Sequence, residues 1–472
     1  MKQLSGIDAT FLYLETEQTP MHVAGLTLYD LPKGFKGSFH KHFTEFFKGR
    51  VHLVPIFGMK LAKAAFELDH PGWVDAGELD FEYHIQSAKL PKPGNRKQLE
   101  DKVAELHSER LDRSKPLWQF TIIEGLENNQ AALYSKVHHA AVDGGAGMVI
   151  TQALYDLSET PRKVKPAEPK EPVRVPSAPE RAILTANDIV SNLLRQQLTF
   201  MESLPKMMSQ LTDMIAPVLS GKVGIPQIFA PRTPFNVTVE AKRSYAARSI
   251  SLPDVKMIAK ARGAKLNDVV MAITSGAVRK YLMRKQQLPD AALVAFVPIS
   301  MREVGNTDIN NQVFGMNVPL ATNYGDPLKR LDKIKQESGA SKTMAAGVKD
   351  GAPSDFTIIG APTLLPGLMQ LYGSTKLADV VPQVVNMCIS NNAGPPFPLY
   401  CAGAKVTALY PVSIATHGVA LNVTVQSYLD HLDFGITCDY KAVPDVDELA
   451  GMMIDSFEEL RAAVEKAQAA AE

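Results

Sequence analysis

Ser135-Lys136-Val137-His138-His139-Ala140-Ala141-Val142-Asp143-Gly144-Gly145-Ala146-Gly147 combines three local signals. Residues 131–137 are largely apolar and read as a strand. Two histidines stand at its end, and an aspartate follows four residues after His139. A glycine-rich turn then opens a helix over 148–157. Histidine is the side chain best suited to proton transfer near neutral pH. At a strand end it can project into a cleft, where a carboxylate can hold the loop or orient an imidazole. Glycines permit the tight turn and close backbone approach. A bare histidine pair is equally compatible with two buried, hydrogen-bonded core residues. A metal site would need a third ligand, and no Cys/His cluster at metal spacing supplies one. No G-x-S-x-G elbow marks a serine nucleophile. No Lys-Ser/Thr follows the glycines, as a phosphate-binding loop would require.

Working outward, 119–123 reads as a strand joined to 131–137 through the turn-rich Glu127-Asn128-Asn129-Gln130, a hairpin. Residues 22–29 are a further strand. Helical spacing of apolar residues marks 37–48, with Phe39, Phe43, Phe46 and Phe47, and 98–111. From Ser158 prolines punctuate a charged stretch that cannot form helix interior or central strand, so 158–182 reads as an extended linker. An apolar helical region follows over 183–219, readable as an interdomain core helix or as an interfacial helix on lipid. Beyond it α/β patterning returns. Helices are expected over 267–282, 328–338 and 446–470, and a strand over 292–299, ended by Pro298 and Arg302. Alternation over 419–425 and 432–438 predicts a second, half-buried hairpin. The organisation expected is therefore 1–157, a linker over 158–182, and 183–472.

Length and composition fit this reading. A chain of 472 residues exceeds one compact core, and 45% apolar residues leave ample material for two or three. Lys+Arg and Asp+Glu cancel at 50 each, which removes a global drive toward nucleic acid. Three cysteines make no disulfide framework and fit a reducing compartment. The N-terminal residues lack a secretory pattern, and no run of about 18 apolar residues suggests a membrane span. A cytoplasmic chain is expected, meeting a membrane only at its surface.

His138-His139-Ala140-Ala141-Val142-Asp143-Gly144 matches HHxxxDG. It resembles the CoA-dependent acyltransferase superfamily, which includes chloramphenicol acetyltransferase, plant alcohol acyltransferases and peptide-synthetase condensation domains. Five further landmarks narrow the likeness. They are Leu4-Ser5-Gly6-Ile7-Asp8-Ala9-Thr10-Phe11 with Pro20-Met21-His22-Val23; Pro116-Leu117-Trp118; Asn267-Asp268-Val269-Val270-Met271-Ala272; Pro298-Ile299-Ser300-Met301-Arg302; and Ser427-Tyr428 before Phe434-Gly435. Together they look like the bacterial wax ester synthase/diacylglycerol acyltransferases, over almost the whole chain.

The resemblance implies an α/β fold of two chloramphenicol-acetyltransferase-like domains with an active-site channel between them. It implies fatty acyl transfer from acyl-CoA to a long-chain alcohol or to diacylglycerol, with His139 as general base and no covalent acyl-enzyme. His138 would support the loop with Gly144 and Gly145, and Asp143 would be structural, with Arg302 as one candidate partner. Asn267 would stabilise the oxyanion or position substrate, although its place before a helix also suits an N-cap. Phe356, Gly360 and Ala361 are candidate channel linings, and ordinary core packing is the competing reading for each. Arg162, Lys163 and Lys165 are candidates for the CoA entrance, against a merely solvated linker. No tightly bound cofactor or metal is implied. Attachment to a membrane or lipid-droplet surface is. Two alternatives remain open: an acyltransferase with another hydroxyl or amine acceptor, and a catalytically silent lipid-binding homologue.

Overall fold

A computed structural model of the chain describes residues 2–62, 70–142, 144–167, 229–300, 313–349 and 361–470. The fold is mixed α/β, built on two six-stranded sheets and one small sheet of Lys2–Gln3, Gly72–Asp75 and Met59–Ala62. In the first large sheet the strands run Tyr400–Cys401, Ala404–Val412, His22–Asp30, Gln130–His138, Trp118–Glu124 and Ile85–Lys89. In the second they run Val313–Pro319, Val294–Ser300, Met387–Asn392, Leu421–Tyr428, His431–Asp439 and Arg243–Ser251.

Both expected hairpins are present. Trp118–Glu124 pairs antiparallel with Gln130–His138, and Leu421–Tyr428 with His431–Asp439. The first turns through Asn128 and Asn129, both at positive φ, a conformation asparagine tolerates better than most residues. The helix expected over 37–48 is Phe39–Lys48, with Ser38 as its cap. Its Phe39, Phe43 and Phe47 are buried at successive turns. They meet a cluster centred on Trp118, which stacks on Phe57 at 4.6 Å and donates from Nε1 to the Phe57 carbonyl at 3.0 Å. Such aromatic pairs each contribute about 0.5–1.5 kcal/mol beyond their buried area. They fix the strand that runs beside the histidine-bearing one.

Some boundaries differ from the sequence reading: the helix expected over 328–338 is Pro327–Lys349, and that over 148–157 is Gly144–Leu154. The strand expected over 292–299 is Val294–Ser300 and runs on past Pro298. Its parallel neighbour pairs only with Ala295 and Phe296, so no ladder bond on that side is demanded of Pro298, which has no N–H to give.

The two large sheets share chain. Residues 400–412 leave the second sheet region and complete the edge of the first, pairing antiparallel with His22–Asp30. Fully buried Asp433 holds this crossover. It accepts from the Leu409 backbone N–H at 2.7 Å and from Ser249 Oγ at 2.6 Å, and His431 Nδ1 lies 2.9 Å away. Tyr428 adds a second tie, with its hydroxyl accepting from the Leu399 N–H and donating to the Val406 carbonyl. The Ser427-Tyr428 and Phe434-Gly435 landmarks thus mark where crossover and second sheet lock together. Residues 161–167 carry no helix or strand. The expected helical region 183–219 lies outside the described residues. Among the described residues, no helix is long and apolar enough to cross a membrane.

Candidate active site

The strand Gln130–His138 stops because its neighbours stop supplying ladder bonds and the chain tightens into a single 3₁₀ turn, His139–Ala141. Two backbone bonds pin the histidine pair there. The His138 N–H donates to the Leu117 carbonyl at 2.9 Å, and the His139 N–H donates to the Met21 carbonyl at 2.8 Å. The Pro116-Leu117-Trp118 and Pro20-Met21-His22-Val23 landmarks therefore flank the pair from both neighbouring strands.

The two rings have different surroundings. His138 is fully buried, and its Nδ1 accepts from the Ala140 N–H at 3.1 Å. Accepting at Nδ1 puts the proton of the neutral ring on Nε2. That atom faces Glu15 Oε1 at 3.6 Å. His139 is partly accessible and stacks on Phe11, with ring centroids 3.9 Å apart and planes within 11°. Its pKa is lowered to about 4, chiefly because burial penalises the imidazolium; its own backbone carbonyl opposes this and His138 reinforces it. At neutral pH His139 is an unprotonated base.

Phe11 is delivered by the helix Gly6–Leu14, capped by Ser5, whose Oγ accepts from the Asp8 N–H at 3.1 Å and donates to Asp8 Oδ2 at 2.8 Å. The Leu4–Phe11 landmark is thus a capped helix that lays one aromatic ring on the base.

Glu15 was not among the residues expected here. Its side chain is buried; Oε1 accepts from the Met21 N–H at 3.2 Å and Oε2 from Arg113 Nε at 2.7 Å. Burial alone would raise its pKa, but His138, Arg113 and the Met21 N–H outweigh burial and hold it at about 2. A signal did exist in the sequence. Glu15 is the C-cap of the Gly6–Leu14 helix, where the macrodipole disfavours an anion. A local rule broken in this way marks a functional position.

Behind the pair lies a buried basic cluster. His22 sits opposite His138 in register, its Nε2 3.1 Å from the His107 carbonyl, and His107 Nδ1 lies 2.8 Å from the Tyr134 hydroxyl. Buried Lys136 donates to the carbonyls of Leu106 and Glu109, closing the C-terminal end of the helix Arg96–Ser108. Burial lowers its pKa to about 8 and that of His107 to about 3.

The remaining expected residues fare differently. Gly144 and Gly145 are the first residues of the helix Gly144–Leu154. Asp143, Arg302, Phe356 and Gly360 lie outside the described residues. Ala361 begins the helix Ala361–Ser374, which packs against Gly6–Leu14. Asn267 is not an N-cap: the helix starts at Leu266, and the capping carboxylate is Asp268, which accepts from the Lys265 N–H at 2.8 Å. Asn267 is half-buried, and its Oδ1 is buried with no hydrogen-bond partner among the described residues. Arg162 is taken up structurally, donating to Asp156 and to the Tyr155 carbonyl. Arg50 pairs with the same Asp156 at 2.8 Å. Lys163 and Lys165 remain exposed. A cleft of about 610 Å³ opens beside Glu15 and Arg113. Arg110, Glu109, Asp112, Gln86 and Gln119 also line it, a polar wall unsuited to an acyl chain. Among the described residues, no group of three His, Cys, Asp or Glu side chains could hold a metal ion.

Comparison with known proteins extends the likeness to the whole chain. Residues 4–270 match the family model "Wax ester synthase/diacylglycerol acyltransferase catalytic domain", and 309–461 match "WS/DGAT C-terminal domain". The chain is 34% identical over 456 residues to the O-acyltransferase WSD of Acinetobacter baylyi, covering 95% of this chain and 94% of that one. It is 33% identical over 465 residues to a Mycobacterium tuberculosis protein carrying the name diacylglycerol O-acyltransferase, covering 98% of this chain and 100% of that one. Among solved structures, the wax ester synthase/diacylglycerol acyltransferase from Marinobacter aquaeolei VT8 superposes with a TM-score of 0.69 at 28% identity, covering 98% of this chain and 100% of that one. The starter condensation domain of rhizomide synthetase shares the fold, with a TM-score of 0.56 at 13% identity over 98% of this chain and 94% of that one.

Proposed function

The chain belongs to the wax ester synthase/diacylglycerol acyltransferase family, and from that premise we propose that it moves a fatty acyl group from acyl-CoA to the hydroxyl of a long-chain alcohol or of diacylglycerol. Family membership makes it an acyltransferase; acceptor and donor chemistry are our reading. The observation that carries it is His139, partly accessible at a strand end, anchored through its backbone and neutral at physiological pH.

In this reading His139 removes the acceptor hydroxyl proton as that oxygen attacks the thioester carbonyl. The tetrahedral intermediate collapses by breaking the C–S bond, and the imidazolium returns its proton to the CoA thiolate. A ring with a depressed pKa makes a strong acid once protonated, which favours that second transfer. General base catalysis supplies about 10²–10⁴-fold, so positioning and oxyanion stabilisation must supply the rest. Asn267 is our candidate for holding the oxyanion or the substrate carbonyl through Nδ2; its side chain is half-buried, with an Oδ1 that has no hydrogen-bond partner among the described residues. An amide Nδ2 donates while Oδ1 awaits a donor. Asp143 and Arg302 are proposed as the loop's structural ion pair, and Phe356, Gly360 and Ala361 as channel lining. The helix that Ala361 begins packs on the helix bearing Phe11, which supports the last of these. No step needs a bound cofactor.

Contact with lipid belongs to the same proposal. Leu368, Leu371, Leu377, Val380, Val381 and Val384 are all exposed within one short stretch, although large apolar side chains normally favour burial. Lys376 and Asp379 are the only charges between Leu368 and Val384 and cancel, so a neutral lipid surface suits this face better than a charged partner.

Thiol release from palmitoyl-CoA, measured against hexadecanol, diacylglycerol, short alcohols and a primary amine, tests the acceptor. Faster turnover with hexadecanol or diacylglycerol than with the others is expected. Preference for the amine or a short alcohol would contradict the reading. No turnover with any acceptor would favour a silent lipid-binding protein.

A further inference from the structure

We propose that Glu15 is a positioning residue for the base, resting on the acyltransfer reading above. Two contacts of this one carboxylate reach the histidine pair, and a third holds it from behind. Oε1 faces His138 Nε2 at 3.6 Å and accepts from the Met21 N–H at 3.2 Å. The Met21 carbonyl in turn receives the His139 N–H at 2.8 Å. Glu15 therefore fixes both the ring of the first histidine and the peptide that anchors the second. Oε2 is held from the other side by Arg113, through Nε at 2.7 Å and Nη2 at 2.6 Å, and Arg113 also donates to the Leu12 carbonyl at 2.6 Å.

A carboxylate at a helix C-cap opposes the macrodipole, and burying it costs solvation. His138, Arg113 and the Met21 N–H outweigh that cost and hold the carboxyl at a pKa of about 2, so the site is built around the charge and an apolar side chain would leave Arg113 and the Met21 N–H without their acceptor. What the carboxylate adds is a fixed negative charge beside the pair. When His139 takes the hydroxyl proton it becomes a cation next to His138. Glu15 orients the Nε2–H of His138 toward itself. The 3.6 Å gap shortens to a hydrogen bond as the cation forms, as catalytic contacts often do between the free enzyme and the transition state.

Glu15→Gln keeps the shape and an oxygen for Met21 but removes the charge. We expect kcat to fall about 10²-fold, the scale of a small misplacement of a catalytic group, with KM for palmitoyl-CoA unchanged. A residue acting through His139 also has a distinctive double-mutant signature. Glu15→Gln added to His139→Ala should cost little beyond His139→Ala alone. Equal kcat in Glu15→Gln and wild type, or full additivity with His139→Ala, overturns the proposal while leaving the acyltransferase reading intact. An inactive wild-type chain sinks that reading instead. Should Glu15→Gln not fold, Glu15→Asp serves, keeping the charge but retracting it from His138. At least a tenfold drop in kcat at constant KM supports the proposal, on the same scale of misplacement, roughly 10–100-fold, and a wild-type kcat overturns it.

Discussion

Acid should spare this enzyme's chemistry further than a histidine base normally allows, and Phe11 should be the reason. The ring of Phe11 covers one face of His139 at 3.9 Å, and burial lowers the imidazole pKa to about 4. The base must be neutral, so activity is lost as pH falls through that pKa. At pH 5 a histidine at the ordinary value of about 6.5 would be neutral in roughly 3% of molecules. At a pKa of about 4 the neutral fraction is roughly 90%, a difference of about 30-fold. Moving from pH 7 to pH 5 should therefore lower wild-type kcat/KM by less than about twofold on this account. Phe11→Ala admits water to the ring and should move the acid limb up toward 6.5, so that its own rate falls several-fold over the same interval. Ester formation from radiolabelled acyl-CoA at low substrate, quenched at fixed times, reports the free enzyme without a pH-sensitive thiol reagent. The assays must be brief. His22, His107 and His139 all have lowered pKa values in the folded chain. The unfolded chain takes up their protons first, so stability declines as pH drops below about 6.5. Return of aliquots to pH 7 separates that unfolding from reversible protonation of the base. A wild-type acid limb near 6.5, or one that Phe11→Ala leaves in place, would refute the reasoning.

Two further outcomes concern how the sheets are joined, and a third the C-terminal helix. Glu100 is fully buried where the Arg96–Ser108 helix meets the Arg243–Ser251 strand, and its pKa is raised to about 7. Burial drives this; the Ala247 N–H and Arg248, 2.9 Å away, oppose it without prevailing. A folded pKa above the unfolded one means that Glu100 stabilises below about 4.5 and loses that contribution as pH rises through 7. Glu100→Gln should raise stability by about 1–3 kcal/mol at pH 8 and by less at pH 5, measured as urea midpoints; an equal effect at both would contradict this. Gly435 lies where any Cβ would overlap the Pro411 carbonyl of the crossover strand. Gly435→Ala should lose about 1–3 kcal/mol or more. Gly451→Ala, with open space in the C-terminal helix Val446–Ala469, should gain up to about 1 kcal/mol by thermal unfolding.

The parts of the fold that sequence reveals are those governed by local periodicity. Phe39, Phe43 and Phe47 announce a helix face, and the alternation through 419–425 and 432–438 announces a hairpin, although its strands Leu421–Tyr428 and His431–Asp439 are buried on both faces rather than one. The histidine pair at a strand end was equally legible, because residue type and turn chemistry agree there. The crossover was not. Nothing local says that residues 404–412 pair with His22–Asp30, nearly four hundred residues earlier. That choice is made by Asp433, Tyr428 and Gly435, which act through contacts rather than pattern. Asn267 shows the reverse error. Its position before an apolar helix suggests a cap, but the helix already begins at Leu266: Lys265 is the N-cap and Asp268 reaches back to its N–H, so Asn267 lies inside the first turn. Glu15 belongs to none of the sequence motifs. Only its place at a helix end that should repel it, and its aim at His138, give it meaning.

The central claim is that His139 carries the proton during acyl transfer. Single-turnover ester formation by His139→Ala, against palmitoyl-CoA and hexadecanol at pH 7.5, tests it most directly. The account predicts a rate lower by about 10²–10⁴-fold with the thermal unfolding midpoint preserved. A wild-type rate in the folded variant would contradict it.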